Sequence, residues 1–116
     1  MSYDWTAEAV YELVKGWPEE ARAEDCDFDP AYGEWCCGLR SGWLTPAHAA
    51  ALHVASGLRW LIVNGYAPLF RPNDRGGIEL KTRGETEGPT ELHAIAHAIS
   101  AIMGGAAETL ERHDGP

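Results

Sequence analysis

The sequence predicts a mostly α fold: a small helical domain of three main helices and short helical turns, with a two-stranded β-hairpin allowed at about 68–83. Three observations predict this class. Apolar residues recur at helical spacing in residues 4–17, 46–64 and 90–112. The segment 65–89 contains five glycines and three prolines, which exclude a long helix there. The apolar share of 45% supplies enough buried area for an ordered core.

The 116 residues fit a single domain over positions 1–116, because a chain of this length buries roughly two thirds of its surface on folding. We expect four segments within it. They are an acidic N-terminal helix and loop (1–40), a central helix (45–64), a turn-rich basic hairpin (65–89) and a C-terminal helix (90–112).

The first predicted helix spans residues 4–17 and is amphipathic, with Asp4 or Thr6 as its N-cap. One helical turn is expected at residues 19–22, and the acidic residues that follow it are interpreted as an exposed loop. Alternating aspartates there resemble the start of a calcium loop. Pro30 occupies the position of the required turn glycine, so that template fails, and weak Mg²⁺ or Ca²⁺ binding is only an alternative.

The central helix has the clearest start signal in the chain. Thr45 is a good N-cap and Pro46 suits the first helical position, so a helix should run to about Asn64. Its apolar arc is wide, which predicts burial. In the region that follows, residues 68–71 can pair with 78–83. The hairpin carries four of the nine Lys and Arg residues of the chain, and a phosphate or carboxylate is an alternative ligand there: Arg71, Arg75, Lys81 and Arg83.

The C-terminal helix begins at Thr90 and carries no formal charge between Glu91 and Glu108. A surface helix normally carries Lys or Glu on its outer side. We therefore expect this helix either to be central in its own domain or to form a homodimer contact through residues 92–106. In the second case the chain would be a structural or assembly subunit.

The net charge of −9 is concentrated at the front of the chain, where residues 1–40 hold ten carboxylates against three Lys and Arg. Such a field repels nucleic acid and anionic membranes and attracts basic protein surfaces. The N-terminus lacks the pattern of a signal peptide, no stretch is apolar enough to span a membrane, and the three cysteines show no disulfide spacing. We therefore expect a cytoplasmic protein.

These charges favour a non-enzymatic acidic inhibitor that occupies a basic or nucleic-acid-binding surface of a partner protein. Clustered carboxylates speed the encounter and aromatic side chains supply desolvated contact area. Anti-CRISPR, anti-restriction, antitoxin and immunity proteins are physical analogues, and acidity for solubility alone is the competing explanation. The predicted partner-binding residues are Glu19, Glu20, Glu24, Asp25, Asp27, Asp29, Tyr32, Glu34 and Trp35.

A metal-binding or enzymatic protein is the second hypothesis. His93 and His97 stand four residues apart on the last helix and can face one ion, with His48 or His53 as a further ligand. The glutamate of the zinc-protease motif is missing, because Ala94 follows His93. We therefore assign no catalytic residue, no metal and no cofactor. Cys36 and Cys37 lie among acidic residues, which disfavours a reactive thiolate, so we expect both to be buried structural cysteines.

Overall fold

Three α-helices and two three-stranded antiparallel sheets make this an α+β fold in the computed structural model, which describes residues 3–38 and 42–114, the last ten of them without side chains. The predicted mostly α class is therefore wrong. The elements in chain order are α1 (Ala7–Val14), a 3-10 turn (Glu19–Ala21), β1 (Cys26–Asp29), β2 (Glu34–Cys37), β3 (Gly42–Leu44), α2 (Pro46–Val63), β4 (Leu69–Pro72), β5 (Ile78–Lys81), β6 (Glu85–Gly88) and α3 (Glu91–Asp114).

The helix starts follow from local capping chemistry. The Thr6 hydroxyl accepts a hydrogen bond from the Ala9 N–H at 3.1 Å, and Thr45 accepts one from the His48 N–H at 3.1 Å. Each hydroxyl satisfies a backbone donor that has no partner inside its helix. Thr6 rather than Asp4 is therefore the cap of α1, and the predicted start of α2 is confirmed.

Helix α3 lies at the centre of the fold. Its side chains are buried on more than one side, including the alanines opposite the main apolar seam: Leu92, Ala94, Ile95, Ala96, Ala98 and Ile99. These residues pack against α2, α1 and both β5 and β6. The lack of charge on the N-terminal half of this helix thus follows from burial inside its own domain. Gly104 lies within the helix and does not end it.

The first sheet, sheet A, consists of β1, β2 and β3 and replaces the predicted exposed acidic loop. Phe28 lies opposite Trp35, and Trp35 lies opposite Leu44, so these three side chains share the inner face. Trp35 is only 3% exposed, and its indole N–H donates to the Ala7 carbonyl at 3.0 Å. This bond joins sheet A to α1. The loop prediction was wrong because it ignored the alternation of Cys26 and Phe28 with the aspartates.

The second sheet, sheet B, consists of β4, β5 and β6 and packs on α3. The pairing of β4 with β5 confirms the predicted hairpin, and β6 is a third strand that the sequence did not predict. Leu80 at the centre of the sheet is fully buried. The Thr86 hydroxyl donates to the Ala94 carbonyl of α3 at 2.8 Å. None of the helices in the described part of the chain combines the length and hydropathy that a bilayer crossing requires.

Candidate protein interface

The outer face of sheet A carries three of the ten acidic residues found in positions 1–40. Strand alternation places Asp27, Asp29, Glu34, Cys36 and Trp43 on this face, opposite the buried Phe28 side. In the register of the strands, Asp27 lies beside Cys36 and Cys36 lies beside Trp43. The face therefore combines carboxylates with a large aromatic ring. We refer to these five residues together with Tyr32 as the acidic face.

Two like charges lie directly opposite each other on the acidic face. Asp29 on β1 pairs with Glu34 on β2, and like charges at opposed positions of an antiparallel pair destabilise a sheet. No described Lys or Arg side chain lies within 4.0 Å of Asp27, Asp29 or Glu34. One oxygen of Asp29 accepts a hydrogen bond from the Ala31 N–H at 2.9 Å, which stabilises the loop that joins the strands. The charge of this pair is otherwise left to solvent.

An exposed aromatic pair lies beside these carboxylates. Tyr32, in the loop between β1 and β2, is 72% exposed, and Trp43 on β3 is 54% exposed. Their ring centroids are 5.4 Å apart in an edge-to-face arrangement. The contact holds both rings on the surface instead of in the core. Two large exposed aromatics in mutual contact are typical of an interaction surface.

Trp35, predicted as the second aromatic contact residue, does not lie on this surface. Its ring packs against Phe28 at 5.6 Å and His53 at 5.1 Å between centroids, in the interior. Trp43, which sequence reasoning left unassigned, occupies the surface position instead. No local signal identifies Trp43, because the face that it occupies depends on the register of β3 against β2.

The remaining predicted carboxylates lie in two other places. Glu19, Glu20 and Glu24 share a groove of about 650 Å³ with Arg59 and the apolar end of α2. Asp25 lies in the turn just before β1 with a left-handed backbone, φ of 54°, and its carbonyl accepts a hydrogen bond from the Gly38 N–H. The nine predicted residues therefore do not form one continuous site. Only Asp27, Asp29, Tyr32 and Glu34 belong to the acidic face.

Basic groups interrupt the acidic residues elsewhere at the front of the molecule. A cavity of about 360 Å³ between α1, the 3-10 turn and β1 is lined by four carboxylates, but Lys15 and Arg22 line it too. Arg59 likewise lines the larger groove beside its three glutamates. Asp27 of the acidic face also lines the first cavity, whereas Asp29 and Glu34 line neither. The acidic face differs from both in its exposed Tyr32–Trp43 pair.

The basic hairpin neutralises its own sheet. Arg71 lies 2.9 Å from Glu79 and 3.4 Å from Glu85, and Arg75 lies 3.2 Å from Glu87. These ion pairs cross the strands of sheet B, and they leave the front carboxylates untouched. A phosphate or carboxylate ligand would have to compete with them. The guanidinium of Arg83 lies over the Tyr66 ring, with its carbon 4.9 Å from the ring centroid.

The histidines of the metal hypothesis are engaged in separate contacts. The imidazole of His93 stacks on Trp5 and hydrogen-bonds Thr90 through Nδ1 at 2.7 Å. His97 Nδ1 donates to the Glu87 carbonyl at 2.8 Å, whereas His53 is fully buried in the core and His48 is exposed. Partial burial is the main cause that lowers the pKa of His93, and the nearby His97 lowers it further. Within the described residues, no three His, Cys, Asp or Glu side chains are grouped closely enough to hold a metal ion.

The three cysteines are thiols that all lie in sheet A. Cys26 is 5% exposed, and its burial raises the pKa of the thiol to about 11. Cys36 and Cys37 are partly exposed, and the Cys36 thiol donates to the Asp27 carbonyl at 3.5 Å. The prediction that Cys36 and Cys37 are buried was therefore wrong, because strand β2 carries one of them to each face of the sheet.

Comparisons of the chain with protein-family models, with curated proteins and with solved structures gave no match.

Proposed function

We propose that this chain is a non-enzymatic protein-binding inhibitor that docks its acidic face on a basic surface of a partner. The observation that carries this proposal is the combination of Asp27, Asp29 and Glu34, without described ion-pair partners, and the exposed Tyr32–Trp43 pair on one side of sheet A. A partner with clustered Lys or Arg would supply the missing countercharges.

The carboxylates and the aromatics would have different roles in such a complex. Exposed carboxylates accelerate the encounter with a basic surface, and this contribution weakens as salt screens the charges. Removing water from Trp43 and Tyr32 supplies the contact energy, because a few aromatic residues usually dominate an interface. Bringing a cation between Asp29 and Glu34 would also relieve their repulsion, which gives the bound state an advantage over the free one.

A basic surface of this kind commonly serves to bind a nucleic acid backbone. We infer that the acidic face excludes that ligand by occupying the same Lys and Arg side chains, and that the chain therefore acts in the cytoplasm, where such partners are found. The protein needs no catalytic group for this function. Docking and competition with nucleic acid are separable, because a partner can be bound without being inhibited.

Affinity capture from the native host tests the docking step. The tagged full chain is compared with Glu34→Gln, Trp43→Ala and the control Asp74→Asn, which removes one exposed charge from sheet B. A true partner is captured by the wild type and by Asp74→Asn and is released by high salt. Trp43→Ala should weaken binding by about 2 kcal/mol, roughly 30-fold in Kd. Glu34→Gln should lower the association rate and its salt dependence.

Competition with the partner's nucleic acid tests the inhibitory step. The captured partner is loaded with labelled nucleic acid, which the wild-type chain should displace and which Trp43→Ala should displace only at a roughly 30-fold higher concentration. Circular dichroism confirms that each variant is folded. The proposal is refuted if Glu34→Gln and Trp43→Ala capture the same proteins with the same affinity as Asp74→Asn. A ternary complex with both ligands bound would retain the docking and remove the inhibition.

A further inference from the structure

Cys26 on β1 and Cys37 on β2 lie directly opposite each other in sheet A. The preceding pair, Asp25 and Gly38, is joined by a backbone hydrogen bond of 2.9 Å from the Gly38 N–H to the Asp25 carbonyl. Hydrogen-bonded and non-hydrogen-bonded pairs alternate along an antiparallel ladder, so the cysteines occupy a non-hydrogen-bonded pair. Cα atoms in such pairs lie about 4.5 Å apart, within the range that a disulfide spans.

The sheet also decides which of the three cysteines can pair. Cys26 and Cys37 point to the inner face, whereas Cys36 points to the outer face beside Trp43. A bond from Cys26 to Cys36 would have to pass through the sheet. A bond between the neighbours Cys36 and Cys37 would require two side chains on opposite faces to meet, which an extended strand does not allow.

We propose that Cys26 and Cys37 form a redox site, which closes to a reversible cross-strand disulfide by exchange with a low-molecular-weight disulfide such as oxidised glutathione. Cys37 is the more accessible thiol, so it reacts first. Its thiolate attacks one sulfur of the small disulfide, the small S–S bond breaks, and one small thiolate leaves. The Cys26 thiolate then attacks the Cys37 sulfur of this mixed disulfide and expels the second small thiolate.

Protons and electrons balance in this exchange without a further reagent. The two protein thiols lose two protons and two electrons, and the small disulfide takes up the electrons as it becomes two small thiols. Burial keeps the pKa of Cys26 high, so closure of the protein disulfide should become faster as the pH rises. In a reducing cytoplasm both residues stay thiols, and the bond forms when the pool of small disulfides rises.

Mass spectrometry of the full chain after incubation with oxidised glutathione tests this site. We expect the loss of two hydrogen masses and its reversal by dithiothreitol. A protease that cleaves after glutamate separates Cys26 from the other two cysteines at Glu34. Without reduction, the two peptides should remain linked. The matched control Cys36→Ser changes the neighbouring cysteine on the other face and should form the bond in the same yield.

Neither Cys26→Ser nor Cys37→Ser should lose the two hydrogen masses. Cys26→Ser should keep glutathione bound to Cys37, whereas Cys37→Ser should carry no glutathione on Cys26. The wild-type peptide map tests the proposed disulfide even if either variant fails to fold. Persistent glutathione adducts without closure in the wild type would overturn the proposal. So would a bond confined to the peptide that contains Cys36 and Cys37, or failure of Cys36→Ser to close.

Discussion

Replacing Gly57 with alanine tests how closely α2 packs on its neighbours. Gly57 is buried, and a Cβ atom added there would lie 2.7 Å from Ile95 Cγ2 of α3 and 3.0 Å from Cη2 of the Trp17 ring. Favourable carbon–carbon contacts lie at about 3.5–4.0 Å. The added methyl group therefore overlaps two core side chains, and one of them is a rigid ring that cannot turn away.

Two opposing effects set the magnitude of the change. Alanine stabilises a helix interior by about 1 kcal/mol relative to glycine. Inserting a methyl group into a filled core costs about 1–3 kcal/mol. Trp17 and Ile95 are both almost fully buried, and Trp17 also contacts His53 edge-on at 6.0 Å, so neither side chain has free space to enter. Overlap with two core side chains places the steric cost in the upper part of its range, about 2–3 kcal/mol, which leaves a net loss of about 1–2 kcal/mol in the free energy of unfolding after the helix-propensity gain.

Urea unfolding measures this loss as a lower midpoint at unchanged slope. Gly104→Ala is the matched control, because it lies in α3 and a Cβ there meets nothing within 4 Å. The control should gain up to about 1 kcal/mol from helix propensity alone. The two substitutions are chemically identical and should shift the midpoint in opposite directions. A Gly57→Ala protein as stable as the wild type would show that α2 and Trp17 are not in close contact.

Three further predictions concern the core and the helix caps. Burial lowers the pKa of His53 below 6.5, so the stabilisation from its neutral ring is complete above about pH 6.5 and is lost as the pH falls toward the folded-state pKa. His53→Phe should therefore show a smaller decline in unfolding free energy between about pH 6.5 and pH 5 than the wild type, and equal slopes would contradict this. Trp35→Phe removes the buried donor to Ala7 and should cost about 1–3 kcal/mol in urea unfolding, whereas an unchanged midpoint would mean that this bond contributes nothing. Thr45→Ala should lower the free energy of unfolding by about 1 kcal/mol in thermal unfolding, whereas Thr45→Ser should keep most of the wild-type stability because it keeps the hydroxyl. Equal losses in the two variants would exclude a capping role for the hydroxyl.

The helices were predictable because their signals are local. Thr45 and Pro46 define the start of α2 within two positions, and an apolar period continues for several turns beyond them. Apart from the predicted β4–β5 hairpin, the strands gave no comparable signal, since each has only three or four residues. Strand β1 has the sequence Cys-Asp-Phe-Asp and β6 has Glu-Thr-Glu-Gly, both rich in residue types that strands disfavour. Strand β1 packs on α1 through the Tyr11–Phe28 contact and β6 packs on α3, and this tertiary packing is not visible in the sequences of the strands.

The difference between local signals and those that depend on strand pairing also explains which site residues were found from the sequence. An excess of carboxylates in a segment can be counted, so Asp27, Asp29 and Glu34 were recognised as candidates. The face that an aromatic residue occupies depends on strand register, and a shift of one residue reverses it. Trp35 and Trp43 therefore could not be told apart as core and surface residues. The homodimer contact through residues 92–106 stays a prediction, since an uncharged helix face looks the same whether another helix or a second copy covers it.

Charge pairing differs between the two sheets, and this difference argues against solubility as the whole explanation of the acidic composition. Sheet B places Arg71 and Arg75 within ion-pair distance of its glutamates. On the outer side of sheet A, Asp29 lies opposite Glu34 with no described cation in range. Charges selected for solubility alone would be interspersed with opposite charges, as in sheet B. A one-sign face with two exposed aromatic rings is instead the arrangement that the proposed docking on a basic surface would use.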